Sequence, residues 1–204
     1  MSRPRVVVFC GSIRRPSRSR ALAETLGDEI GRRVAIELKS YDVLDAGPGF
    51  GSALARSDLP LPAARMIDEI ENADALIVGT PVYNGSYTGL FKHLIDFLAP
   101  DRLAGKPVAL TATGGGARHA LVVEHALRPL FGFFSALTVP TAVYASDADF
   151  GPTDDGAGHI VTDASIRMRL SAAANELAGL LSKHSSDMEN VLRPVISQKR
   201  NSAR

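Results

Sequence analysis

The chain has a single cysteine and no tryptophan among its 204 residues. One thiol excludes an internal disulfide framework, so the fold rests on its core and the expected compartment is a reducing cytoplasm. No apolar run approaches the roughly 18 residues that a membrane span requires. The opening apolar stretch ends at Gly11, too soon for a signal peptide, and reads as a buried strand. Neither sign of charge dominates: 23 Lys and Arg face 22 Asp and Glu, a net charge of +1. Bulk charge therefore predicts no nucleic-acid partner. Hydrophobic residues at 45% and charged residues at 22% exclude a disordered or collagenous chain. The length suits one domain, residues 1–184, with a polar tail over 185–204 that lies outside the packed body.

Some chemistry is missing too. The five histidines are dispersed and form no HExxH, so no metal site is expected. The acidic stretch from Asp147 has Gly158 where a twelve-residue calcium loop needs Glu, and reads as a solvated loop on the site rim. No nucleophile elbow or Ser-His-Asp order stands out, and Cys10 at a strand end reads as a structural thiol. No catalytic side chain is assigned.

What is present is an alternating pattern. Apolar runs at Val6–Cys10, Ala75–Gly79 and Val108–Ala112 predict strands buried on both faces. Val34–Leu38 and Val139–Ala145 complete five strands. Helical spacing covers 18–33, 63–73, 89–98, 119–137 and 163–183, and 41–60 reads as a loop. Strands alternating with helices predict an α/β fold, a flavodoxin-like three-layer α/β/α sandwich on a five-stranded parallel sheet of order 2-1-3-4-5.

Ligands in such sheets sit beyond the carboxyl ends of the strands, where the order reverses. The loop after strand 1, GSIRRPSRSR, combines Ser12, Ser17 and Ser19 with Arg14 at a helix start, a cradle for a phosphate monoester. Ordinary capping by Ser17 would account for part of it. The loop after strand 3, TPVYNGSYTG, holds two of the four tyrosines and offers flat faces and amide donors. Thr113-Gly114-Gly115-Gly116 after strand 4 lets backbone approach a ligand without side-chain hindrance. Phosphate pocket, ring wall and glycine floor at one sheet end suit a flavin mononucleotide.

GSIRRPSRSRALA, TPVYNGSYTGLFKHLIDFL and ATGGGARHALVVEHALRPLFGFFSALTVPTAVYASDADF resemble the NAD(P)H-dependent FMN reductase family, over residues 5–150. The likeness is nearest to reductases of alkanesulfonate and methanesulfonate utilisation, which pass reduced FMN to a separate flavin-dependent monooxygenase. It implies FMN and NAD(P)H as cofactor and substrate. Ser12, Arg14, Ser17 and Ser19 would hold the phosphate. Pro81, Val82, Tyr83, Asn84 and Ser86 would line the ribityl chain and ring. Thr113, Gly114, Gly115 and Gly116 would face the ring edge. Lys92 and Asp96 match a pair on the family's dimer helix, though their i, i+4 spacing also allows a local ion pair. A homodimer or homotetramer follows, with no membrane partner.

Pro129 falls inside the predicted long helix, where it removes an N–H and crowds the carbonyl of His125, so a kink or a π-bulge is required there. The resemblance gives His125 a part in flavin retention at an oligomer interface. The alternatives are a reductase that keeps its FMN and reduces quinones, azo dyes or metal oxyanions, and a non-catalytic carrier. Carriers of this kind are strongly acidic, unlike this chain.

Overall fold

The computed structural model describes residues 3–201, with side chains through 182. Strands β1 (Arg5–Cys10), β2 (Glu37–Asp42), β3 (Ala75–Pro81) and β4 (Pro107–Gly114) run parallel in the order β2-β1-β3-β4. The fifth position, against β4, is filled in two pieces, β5 (Leu137–Thr138) and β6 (Val143–Ser146). The order 2-1-3-4-5 expected from the alternation is thus the observed one.

Both sheet faces are covered. Helices α1 (Arg18–Gly31) and α6 (Ala164–Asn201) bury Leu22, Leu26, Ile30, Leu170 and Leu177 on one face. Helices α2 (Leu61–Asn72), α3 (Gly89–Ile95) and α5 (Arg128–Phe133) bury Met66, Ile67, Phe91, Leu94 and Phe131 on the other. A short α4 (Pro100–Leu103) follows α3. Central strands β1, β3 and β4 are buried along nearly their whole length, which is why they read as unbroken apolar runs. No described helix is long and apolar enough to cross a membrane.

Several boundaries differ from the sequence expectation. The second strand lies at Glu37–Asp42, not Val34–Leu38, because its register is set by pairing with β1, from Arg5↔Glu37 to Cys10↔Asp42. As an edge strand it is half-polar, so its apolar alternation is a poor guide to its ends. The loop 41–60 contains 3₁₀ turns at Val43–Ala46, Phe50–Ser52 and Arg56–Asp58, pinned by buried Val43, Ala46 and Phe50. The expected helix over 119–137 is broken into a 3₁₀ turn at Ala117–His119, a π-helix at Val123–Leu127 and α5. Within it the Arg128 N–H donates to the Val123 carbonyl, five residues back. The π-turn lies directly before Pro129, and of the two ways to relieve that proline the chain uses the bulge.

The last strand is interrupted at Pro140, which has no N–H for the ladder. Arg128 spans the break, donating to the Val139 carbonyl at 2.9 Å and the Pro140 carbonyl at 3.0 Å. The acidic stretch expected to be a loop forms a hairpin of β7 (Phe150–Pro152) and β8 (His159–Val161). The side chains of the polar tail over 185–204 lie outside the described residues.

Candidate functional site

Loop 1 leaves β1 through Gly11, whose N–H donates to the Gly79 carbonyl at 2.7 Å. A Cβ at Gly11 would sit 2.8 Å from the Phe91 Cβ and 2.9 Å from the Thr80 hydroxyl, so only glycine lets loops 1 and 3 come this close. Thr88 then joins them. It caps α3 by accepting from the Phe91 N–H at 3.2 Å and donates to the Gly11 carbonyl at 2.8 Å. Beyond Gly11 the Ser12 hydroxyl donates to the Arg14 carbonyl at 3.0 Å and holds a tight bend. Ser17 caps α1, accepting from the Arg20 N–H at 3.2 Å, so the capping role and a place in the pocket wall coincide.

The four arginines of this loop are sorted by one acid. Asp42, at the end of β2, is fully buried and is held by Arg15 at 2.6 Å and Arg20 at 2.8 Å. Burial alone would raise the Asp42 carboxyl, but the two guanidiniums outweigh it and hold it below the ordinary carboxylate range. Arg15 and Arg20 are thereby drawn away from the cleft. Arg14 and Arg18 remain in it.

Loop 3 turns at Asn84-Gly85, with φ of 51° and 88°. Two positive φ values make a type I′ hairpin turn, the geometry that Asn-Gly favours. Tyr83 and Ser86 close it, the Tyr83 N–H donating to the Ser86 carbonyl at 2.9 Å. Val82 donates from its N–H to the Thr113 carbonyl at 2.7 Å and anchors the loop to β4. In loop 4 a Cβ on Gly114 would meet the Tyr144 hydroxyl at 2.5 Å, while one on Gly115 or Gly116 would meet nothing within 4 Å. Tyr144 donates to the Gly116 carbonyl at 2.6 Å and holds that backbone open; burial pushes its phenol pKa up.

The three loops enclose two adjoining pockets. The smaller, about 290 Å³, has Ser12, Arg14, Ser17, Arg18, Ser19, Pro81, Thr113 and Gly114 in its wall. The larger, about 790 Å³, is lined by Arg14, Val82, Tyr83, Asn84, Gly85, Gly115 and Gly116. Val82, Tyr83, Arg14 and Gly115 belong to both. Of the residues singled out from the sequence, Ser86 lines neither pocket and acts in the turn through its backbone. Thr113 and Gly114 lie in the smaller pocket and not by the larger one, the Thr113 hydroxyl 2.5 Å from that of Ser19. Lys92 in α3 forms an ion pair with Asp96, the residue that follows the helix. His125 is exposed in the π-turn and lines neither pocket.

The stretch from Asp147, expected as a loop on the site rim, reaches into the site: Asp147 and, on β8, His159 stand in the smaller pocket, with Asp147 3.4 Å from Arg18. Gly85, Arg118 and His119 also line the larger pocket. Cys10 is buried beneath loop 1, and burial pushes its thiol up to about 12, which makes it a core side chain and not a nucleophile.

The Arg18 Nε is buried and has no hydrogen-bond partner among the described residues. A buried unpaired donor costs on the order of 1–3 kcal/mol, more when charged, so this atom calls for an acceptor. Two guanidiniums, serine hydroxyls and a helix start together fit a phosphate monoester. The larger pocket, with rigid backbone, one open tyrosine face and no side chain on Gly115 or Gly116, fits a flat heteroaromatic ring.

The model of the NADPH-dependent FMN reductase family matches residues 4–151. An FMN reductase (NADPH) of Pseudomonas aeruginosa is 47% identical over 72% of this chain and 78% of its own length. An NADH-dependent FMN reductase, SfnF, of Pseudomonas fluorescens is 43% identical over 90% of this chain and 96% of its own. The crystal structure of an oxidoreductase from Corynebacterium diphtheriae superposes with a TM-score of 0.77 at 31% identity, covering 89% of this chain and 98% of that one.

Proposed function

The chain belongs to the NADPH-dependent FMN reductase family and is an NAD(P)H:FMN oxidoreductase, and from that premise we propose how its own residues serve the reaction. The smaller pocket takes the FMN phosphate, between Arg14 and Arg18 and against Ser12, Ser17 and Ser19. The convergence of two guanidiniums and three serine hydroxyls at the start of α1 carries this assignment, and the buried Arg18 Nε, unpaired among the described residues, supports it. Pro81, Val82 and Thr113 border the ribityl chain. The ring lies against Val82, Tyr83 and Asn84 on one side and Gly115 and Gly116 on the other.

When bound, FMN supplies the site that accepts hydride from the nicotinamide. The protein contributes placement. Type I′ turn and β4 anchor fix Val82–Asn84 as a rigid wall, and the open glycines leave space for a second ligand in the larger pocket. Neither pocket needs a proton-transferring side chain for hydride transfer.

The reduced flavin is released to a separate flavin-dependent monooxygenase of sulfonate utilisation. Two things support this: the likeness of the three loop motifs to sulfonate-linked reductases, and the exposure of the ring wall, where Tyr83 is 40% exposed. The chain works as a homo-oligomer, with α3 (Lys92, Asp96) and the π-turn (His125) at its contacts. Exposed Leu121 beside the π-turn supports that surface.

Steady-state oxidation of NADH and NADPH by dialysed protein, with and without FMN, tests the reading. Oxidation that rises with FMN and saturates is expected. Oxidation that needs a quinone or dye but no added FMN would move the chain to the flavin-retaining class.

A further inference from the structure

The hairpin of β7 and β8 closes one side of the smaller pocket. Alternation along β8 puts His159 on the same face as Val161, which is buried in the core under α1, while Ile160 between them is 45% exposed. His159 is thereby directed inward and lines the pocket together with Ser17 and Arg18. The hairpin holds it there. At the tip the Gly158 N–H donates to the Thr153 hydroxyl at 2.8 Å, and at the base the Thr162 N–H donates to the Asp149 carbonyl at 2.8 Å. Its ring makes no hydrogen bond to another described residue.

The charged groups around it are Arg14 and Arg18 from loop 1 and α1, and Asp147 from the turn after β6. Asp147 would repel a phosphate dianion on that side of the pocket, and an imidazole N–H beside it is the donor that offsets the repulsion. We infer that His159 is a specificity residue for the flavin's phosphate monoester: it donates to a phosphate oxygen from the hairpin wall of the pocket and separates FMN from riboflavin. The inference rests on the assignment of the smaller pocket to the FMN phosphate. It adds to that pocket a residue from outside the three loop motifs.

The test is equilibrium binding of FMN and of riboflavin to flavin-free protein, followed by flavin fluorescence. It uses the full chain, His159→Ala and His159→Gln, with thermal unfolding of each variant as the check on folding. A hydrogen bond to a charged group sets the scale. His159→Ala is expected to raise the Kd for FMN about tenfold and leave that for riboflavin unchanged. His159→Gln, which keeps an N–H donor, recovers part of the loss. Equal weakening of both flavins, or no change for FMN in either variant, overturns the role of His159. A native chain that binds FMN no better than riboflavin overturns the pocket assignment itself.

Discussion

Asp42 shows how much a single buried side chain decides. It accepts from Arg15 and Arg20, and its own carboxylate also caps the turn that follows, accepting from the Leu44 N–H at 2.9 Å. Removing it leaves Arg15 with Asp45 and Arg20 with Glu24 as their remaining acid partners, beside a pocket that already holds Arg14 and Arg18. Losing the charge-assisted hydrogen bonds of a buried carboxylate to part-exposed partners costs about 1.5 kcal/mol. Asp42→Asn is expected to lose roughly that much in urea unfolding at pH 7. The carboxyl is held below its ordinary value in the fold. Its contribution is therefore full above the unfolded-state value of about 4 and is lost as the pH falls below it. The deficit of the variant should shrink with acidification; a deficit constant from pH 7 to pH 3 would contradict the assignment.

At the level of elements, the turn of loop 3 is the part most exposed to substitution. Asn84 and Gly85 both have positive φ. Glycine adopts that region freely and asparagine tolerates it, whereas alanine at Gly85 costs about 1 kcal/mol. Gly85→Ala should lower the melting temperature and weaken FMN binding, while Asn84→Gly should keep the turn and most of the affinity. Calorimetry and a flavin titration on the two variants separate them. The π-turn illustrates the converse case. Pro129 announces that a regular helix is impossible, but only the packing of Val123, Leu127 and Phe131 into one core face selects a bulge over a kink.

Across the whole molecule the two ends of the sheet have separate duties. The carboxyl ends of the strands carry the loops and the site. At the opposite end, Lys106 is buried at the start of β4 and donates to the Ile70 and Glu71 carbonyls at the end of α2, both at 2.9 Å. Burial lowers its ammonium to about 8. Between that value and the unfolded value near 10.4 the unfolded chain binds the proton that the folded chain has lost, so stability at this position rises with pH. Native protein should gain about 2 kcal/mol over Lys106→Met between pH 7 and pH 10 in denaturant unfolding. FMN reduction by the variant at pH 7 should be unchanged, because the site lies at the other end of the sheet. The order of strands and the gathering of the three loops at one end were legible in the chain, since buried parallel strands must be apolar on both faces and right-handed crossovers leave few topologies. Ser12, Ser17, Val82, Tyr83 and the triple glycine were legible for a related reason: turn, cap and close-approach positions restrict residue type locally. Arg14 was legible too, but that Arg18 joins it while Arg15 turns away was not, because Asp42 lies 27 residues from Arg15 and nothing nearby in sequence marks the pair. Nor was the place of His159, which depends on a hairpin packed against α1 from the far end of the domain. Local pattern determined the frame and the loops; contacts between distant segments, decided only in the folded chain, determined which charges were left for a ligand.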